Sequence, residues 1–363
     1  MPRVIGIDPG TVSIDLCGLD QGRVFLDRSW PTAEALADPA RFIAELEAVG
    51  PLDLVAGPSG YGMPVTRVQD ATDADLRLAF LAAPGERGGI GGLRALVRAL
   101  ARSRLPVVLT PGVVHLPTVP AHRKVNRVDM GTADKVCAAA LAIAQQARRS
   151  GRPLATASLV LLELGGAFTA AVAVAGGRIV DGVGGTAGPL GFRAAGALDG
   201  EVAYLAGEVS KTLLFQGGAA AVAGWDEASP SPERLAHPAT PAERTAWEAF
   251  VEGAVKTAVV LAASVPAPKE FVLSGRLARV ESISHAIRER LGSFAPTRLL
   301  EGFAQTAKEG AQGAALLADG LAGGANRELV ELLAIREARG TVLDHLYIIS
   351  LERARRRLEG GPA

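Results

Sequence analysis

The sequence is poor in several things, and each shortage removes a class of function. Among 363 residues there are two cysteines, Cys17 and Cys137. They lie far apart at no metal-ligand or redox spacing, so neither a disulfide framework nor a cysteine metal site is expected. Both thiols read as buried and reduced. There is no charge of one sign in excess: Lys+Arg and Asp+Glu both number 38. A broad nucleic-acid surface normally needs a basic surplus, so nucleic acid is not an expected partner. No apolar run approaches the ~18 residues that a spanning helix requires, so no membrane partner is expected. The chain enters a strand-like segment, residues 3–8, with no apolar leader before it, and the cytoplasm is the expected location. What remains is 48% hydrophobic and 21% charged, a globular composition long enough for two domains, each with a core.

What the chain does contain is an internal repeat. Segment 4–27 reads VIGIDPGTVSIDLCGLDQGRVFLD and segment 159–182 reads LVLLELGGAFTAAVAVAGGRIVDG. Adding 155 to any number in the first aligns the second without a gap. Asp8 falls on Glu163, Gly10 on Gly165, and Gly22-Arg23 on Gly177-Arg178. The apolar Ile5 and Ile7 fall on Val160 and Leu162. Each copy reads as strand, glycine turn, strand, two-residue turn, strand. Gln21-Gly22 and Gly176-Gly177 suit tight hairpin turns that need positive φ. Apolar alternation and glycine turns are common, but acid, glycine and hairpin turn all keeping one offset point to a duplication.

Helical patterns surround the repeats at 93–102, 132–149, 242–265, 309–321, 326–339 and 343–358, with Thr132 a candidate cap for the second. Pro153 marks a junction. The Gly/Ala- and Pro-rich stretch 217–241 reads as an exposed excursion, and GERGGIGG at 85–92 as a mobile loop, since it lacks the Lys-Ser/Thr ending of a P-loop. The expected fold is α/β: two related mixed sheets flanked by helices, with a cleft between them. The expected division is 1–152, completed by the C-terminal helices of 323–358, and 153–322.

A carboxylate at a strand end followed at once by a glycine turn is useful in nucleotide chemistry. Glycine lets backbone approach phosphate oxygens, and the carboxylate can hold Mg²⁺ directly or through water. Asp8, Gly10, Thr11 and Ser13 form one such mouth, and Glu163, Gly165 and Gly166 the other. Two copies facing each other would grip a polyphosphate from both sides, with Asp8 and Glu163 as metal carboxylates. Phe271 to Arg276 is a strand ending in Ser274-Gly275, and 307–315 opens a small-residue helix. Ser274, Gly275, Arg276, Lys308 and Gly310 are therefore candidates for an adenosine pocket, while ordinary helix-on-sheet packing also accounts for the small residues.

The order of acid-Gly-Thr turn, acid-Gly-Gly turn and Ser-Gly segment resembles the superfamily of acetate and sugar kinases, actin and the seventy-kilodalton chaperones. The resemblance covers most of the chain. Within it, PSGYGMP (58–64), TPGVVHLPTVPAHRKVNRVDMGTADK (110–135) and GGTAGPLGFRAAGALDGEVAYLAG (184–207) are similar to the family of predicted butyrate kinases. Gly188-Pro189 with Arg193 is similar to that family's EGP…ER stretch, although the family's acid falls on Ala187 here. The resemblance implies duplicated ribonuclease H-like, actin-like ATPase domains, ATP and Mg²⁺ in the cleft, and phosphoryl transfer to a small-molecule acceptor, a short carboxylic acid. It leaves open an alcohol or sugar acceptor, a slow ATPase acting as a nucleotide switch, and a homodimer.

The densest polar cluster, residues 122–129, precedes the helix that carries Asp134 and Lys135. A carboxylate acceptor is already an anion and needs cations rather than a base. Arg127 and Arg193 are assigned to that task, with Arg123 and Lys124 as further candidates, while Asp8 organises metal and phosphates. An alcohol would call for a base, Asp129 or Asp134. A surface ion-pair network at a domain seam explains the same cluster. Ser59 and Tyr61 follow a strand-like segment and are candidates for acceptor contact, a plain turn being the other reading. His115, in an apolar stretch, reads as structural.

Overall fold

Two pairs of residues with positive φ turn the chain in matching places: Gln21 (52°) and Gly22 (76°), then Gly176 (59°) and Gly177 (69°). The computed structural model describes residues 2–10, 12–57, 59–82, 91–225, 230–268 and 270–360. Thr11 and most of the 85–92 segment lie outside the described residues. The strands are β1 (Arg3–Pro9), β2 (Ser13–Asp20), β3 (Arg23–Pro31), β4 (Leu54–Ala56), β5 (Thr66–Arg67), β6 (Val107–Leu109), β7 (Ser158–Leu164), β8 (Thr169–Ala175), β9 (Arg178–Val183), β10 (Glu270–Ser274) and β11 (Thr297–Leu299).

The repeat extends to hydrogen-bond register. β1 and β2 pair Val4 with Leu19, and β7 and β8 pair Leu159 with Val174, the same pairing moved by the common offset. Both sheets slip register at equivalent places, between Gly18 and Leu19 on β2 and between Ala173 and Val174 on β8. The sheet orders are β3-β2-β1-β4-β6-β5 and β11-β10-β7-β8-β9. In each, the first strand of the meander pairs in parallel with a later strand, β4 or β10. Both sheets are thus mixed and flanked by helices, as the sequence predicts.

Strand alternation sorts each sheet into two faces. Ile5 and Ile7 enter an outer core with Phe42 and Leu96, whereas Val4 faces an inner core. On β7, Val160 and Leu162 face an outer core with Phe250 and Ile283, whereas Leu159 and Leu161 face the same inner core. Continuing the alternation puts Asp8 and Glu163 at the inner ends of their strands.

Two inner helices, Ala133–Ser150 and Glu309–Leu321, pack against each other between the sheets. Glu309–Leu321 lies on β1, β2 and β4, while Ala133–Ser150 lies against β7 and β8. A division of the chain at 152/153 therefore leaves each inner helix in the half whose sheet it does not cover. Glycine makes the contact possible. A Cβ on Gly6 would sit 2.2 Å from the Ala311 carbonyl oxygen, and one on Gly313 would sit 1.8 Å from that of Cys137.

Several local expectations need correction. The stretch 217–241 is not an exposed excursion, because Ala219, Ala220, Ala223, Trp225 and Leu235 are buried in the second outer core. The helix expected over 326–339 is confined to Arg327–Leu332, and that over 343–358 to Leu351–Leu358. Tertiary hydrogen bonds hold the intervening backbone: the Asn126 carboxamide oxygen accepts from the Tyr347 (2.7 Å) and Ile348 (3.2 Å) N–H groups. Thr132 stands at the cap position, but its hydroxyl bonds Asp134 rather than the helix backbone. Both cysteines are free and buried. Burial pushes His115 down to about 4, consistent with a structural role. Among the described residues no helix is long and apolar enough to cross a membrane.

Candidate active site

The two acidic mouths are alike in backbone. The Gly10 N–H donates to the Ser13 carbonyl (2.9 Å), and the Gly165 N–H donates to the Phe168 carbonyl (2.9 Å). A Cβ on either glycine would lie 2.8 Å from that carbonyl oxygen. These two N–H groups close the turns, and the glycines give the turns their shape. Among the described residues, chain neighbours apart, no heavy atom lies within 4 Å of where a Cβ on Gly166 would stand, so its backbone is open to close approach.

At the inner end of β1, Asp8 meets the first turn of helix Glu309–Leu321. A Cβ on Gly310 would lie 2.6 Å from an Asp8 carboxylate oxygen. Burial, reinforced by Asp134 and opposed by Lys308 and Lys135, pushes the Asp8 carboxyl up to about 7. At the end of β7, Glu163 meets the first turn of the other inner helix, where the Lys135 Nζ lies 2.9 Å from Glu163 and also pairs with Asp134. Burial raises Glu163 against the pull of Lys135. Burial also disfavours charge on Asp134, but Lys135 and the Thr132 hydroxyl outweigh it and hold that carboxyl below the usual range. The same two acids keep Lys135 firmly protonated in spite of burial.

Lys308 arches over the first mouth. Its Nζ donates to the Asp15 carboxylate (2.8 Å) and to the Ser13 hydroxyl (2.5 Å), and it lies 3.0 Å from a Cβ built on Gly10. Asp8, Ser13, Glu163, Lys308 and Gly310 are thus neighbours in the structure. Ser274 pairs in register with Glu163 across β7 and β10, is buried, and its hydroxyl has no partner among the described residues. Gly275 (φ 86°) presses on the neighbouring strand, where a Cβ would be 2.6 Å from the Leu164 carbonyl oxygen and 3.0 Å from the Glu163 Cγ. Arg276 is exposed.

Other candidates are placed differently. Ser59 clips its loop to the end of β6, accepting from the Thr110 N–H (2.8 Å) and sharing a hydrogen bond with the Thr110 hydroxyl (3.1 Å). The Arg123 guanidinium donates to the Val180 carbonyl (2.8 Å) and lies 3.7 Å from Asp181, so it pins its turn to β9. Lys124 donates to the Leu116 carbonyl (2.9 Å). Arg127 and Arg193 are exposed. The charges that chiefly act on Asp8 and Glu163 come from Lys135, Lys308 and neighbouring acids rather than from either arginine. Asp129 accepts from the Thr186 N–H (3.0 Å) and hydroxyl (2.9 Å), and Tyr61, raised by burial and by Asp129, hydrogen-bonds the same Thr186.

Residues 6–348 match the family described as "Protein of unknown function (DUF1464)". The chain belongs to that family. None of the curated proteins matches it in sequence. Among solved structures, it resembles a propionate kinase from Francisella tularensis subsp. tularensis with TM-score 0.60 at 14% identity, covering 86% of this chain and 99% of that one. It also resembles an acetate kinase from Entamoeba histolytica with TM-score 0.56 at 12% identity, covering 80% and 86%. A third, the acetate kinase of Porphyromonas gingivalis, gives TM-score 0.54 at 14% identity over 79% and 86%. This member of the family therefore has the duplicated actin-like ATPase fold expected from its sequence.

Among the described residues no group of three or more His, Cys, Asp or Glu converges as a ready-made metal cage. Magnesium characteristically keeps several waters and takes one or two carboxylates beside substrate phosphates. Asp8, buried, and Glu163, part-buried, stand at equivalent strand ends and fit that smaller demand. Sequence reasoning gave Lys135 and Asp15 no role at these mouths and did not single out Thr186. An acid between the apolar Ile14 and Leu16 was a usable signal for Asp15. The Asp134-Lys135 pair opening an alanine-rich helix was one for Lys135. Nothing local marks Thr186.

Proposed function

We propose that the protein is an ATP-dependent phosphotransferase acting on a small carboxylic acid. The two halves, 1–152 with 323–358 and 153–322, act as jaws on a triphosphate. One observation carries the reading: two equivalent strand-end acids, Asp8 and Glu163, reach one set of part-buried charges between the two sheets, each beside a glycine turn and a helix N-terminus. Helix N-termini and open glycine backbone favour phosphate oxygens. Mg²⁺, held by Asp8 and Glu163, would supply charge neutralisation of the polyphosphate.

An acceptor carboxylate oxygen would attack the γ-phosphorus as the bond to the bridging oxygen breaks, giving an acyl phosphate and ADP. The acceptor arrives as an anion, so no proton need be moved. Lys308, fixed by Asp15 and Ser13, would bind phosphate oxygens over the first mouth. Arg127 and Arg193 remain candidates for steadying the acceptor in the closed jaws. Tyr61 and Asp129, joined through Thr186, would shape the acceptor's end of the cleft.

A second reading, transfer to an alcohol or sugar hydroxyl, draws on Asp8, whose carboxyl is pushed up to about 7. A base poised near neutrality suits an acceptor that must lose a proton. The purified chain, incubated with ATP, Mg²⁺ and a panel of short carboxylic acids, alcohols and sugars, separates the two. Acyl phosphates are trapped by hydroxylamine and phosphate esters are not. ADP release with hydroxamate formation supports the carboxylate reading. Ester formation supports the second. ATP binding without transfer to any acceptor would reject both and favour a nucleotide switch.

A further inference from the structure

We propose that Lys135 is a catalytic residue, the cation that contacts the transferring phosphoryl group from the second mouth. The inference rests on the phosphotransferase reading and adds a residue to it.

The two mouths differ in their side chains. Under the repeat, Ser13 and Asp15 of the first correspond to Phe168 and Ala170 of the second. The second mouth therefore lacks the hydroxyl and the carboxylate that seat Lys308 over the first. Its cation comes, as Lys308 does, from the N-terminus of an inner helix. Lys135 stands in the first turn of helix Ala133–Ser150 and reaches across to Glu163 in the other half of the chain.

An ammonium carries three N–H donors in fixed tetrahedral directions. Two are directed at Asp134 and Glu163, which leaves one. The Lys135 side chain keeps 16% exposure, so it is not sealed in the core. The surroundings also call for such a charge. Four carboxyl groups, on Asp8, Asp15, Asp134 and Glu163, stand around Lys135 and Lys308, and a triphosphate entering among them gains from an ammonium that meets it. The N-terminus of helix Ala133–Ser150, where Lys135 stands, adds the positive end of its dipole. The buried Ser274 hydroxyl, without a partner among the described residues, flanks Glu163 in strand register and gives this mouth a second unused polar group. Two acids hold Lys135 in one place, which suits a donor aimed at charge that develops during transfer.

The test compares Lys135→Met and Lys135→Arg with the wild type in the full chain with Mg²⁺. Calorimetry gives dissociation constants for ATP and ADP, rapid quench gives the transfer rate, and thermal melts report folding. Lys135→Met should weaken ATP by about tenfold or more while ADP changes less than about threefold, because the contact is with the γ-phosphoryl group. The transfer rate should fall about 10²–10³-fold, as for loss of one preorganised donor, with partial recovery in Lys135→Arg. Should Lys135→Met not fold, the comparison is made between Glu163→Gln and the double variant Lys135→Met with Glu163→Gln, which removes the buried partner with the lysine. The same ATP-over-ADP loss is expected there. Equal losses for both nucleotides, or no loss for either, would show Lys135 to be a structural counter-charge only and overturn the inference. A wild type that binds no nucleotide would instead overturn the phosphotransferase reading beneath it.

Discussion

The first mouth, Asp8 to Ser13, and the second, Glu163 to Phe168, share strand register, a displaced pairing on the second strand and the hydrogen bond that closes the glycine turn. They differ in most of the side chains hung on that backbone. The first is polar, with Ser13 and Asp15 seating Lys308. The second is apolar beside its acid, and Phe168 stacks edge-on against Phe215 with ring centroids 4.8 Å apart. Asp8 carries a raised carboxyl without an ion pair among the described contacts, whereas Glu163 is paired with Lys135. Backbone geometry in this duplicated fold is fixed by hydrogen bonds and by the glycines that close each turn. The division of labour lies in the side chains.

The largest expected effect separates the two acids. Asp8→Asn should lower turnover by about 10³-fold while the protein stays folded, and Glu163→Gln by about 10-fold to 100-fold, magnitudes usual for electrostatic groups at a reacting centre. Equal losses in steady-state kinetics would remove the functional asymmetry. Next comes the seam where the inner helices cross. Gly313→Ala would bring a Cβ to 1.8 Å from a backbone oxygen, and the helices must part at a cost of about 3 kcal/mol in urea unfolding. An unchanged midpoint would contradict that packing.

A smaller effect concerns pH. Asp8 has a raised carboxyl in the folded chain. Between about pH 4 and pH 7 the folded form therefore retains a proton that the unfolded form has lost, so stability falls as pH rises through that window. A carboxamide at this position has no such proton to lose. Asp8→Asn should accordingly be more stable than wild type by about 2–3 kcal/mol at pH 8, with the gap closing toward pH 4. Glu163→Gln should show no such gain, since it leaves Lys135 with one partner fewer. A pH-independent difference in unfolding free energy for Asp8→Asn would refute the burial argument. The smallest change is Gly166→Ala. With no atom nearby to meet the new Cβ, stability should stay within about 0.5 kcal/mol. A weakened ATP affinity in that folded variant would mark a close phosphate approach at the second mouth, and an unchanged affinity would place the polyphosphate nearer the first.

Much of the fold was legible because its signals are local. The repeat from Asp8 to Arg23 and from Glu163 to Arg178 needs only alternation, glycine and an acid at fixed spacing. The helices Ala133–Ser150 and Pro241–Ala262 follow from continuous helical pattern. The site was legible where it rests on that repeat, and less so elsewhere. Arg123 has the composition of a substrate clamp, yet its partners are the Val180 carbonyl and Asp181. Ser59 lies in a loop after a strand, as many binding residues do, but its hydroxyl is committed to Thr110. A side chain's type states what it can bond, and its partner depends on which distant segment the fold brings within reach.

The sequence by itself determined the two hairpin mouths, because strand alternation, turn conformation and the position of an acid at a strand end are decided within a few residues. Only the tertiary structure decided that helix Glu309–Leu321 lies on the first sheet and Ala133–Ser150 on the second, bringing Lys308 to Ser13 and Lys135 to Glu163. That exchange depends on close approach at Gly6 and Gly313, where backbone meets backbone across hundreds of residues or between two helices far apart in the chain. No spacing within a single segment encodes such a contact, since it arises only when both sheets and both helices share one core.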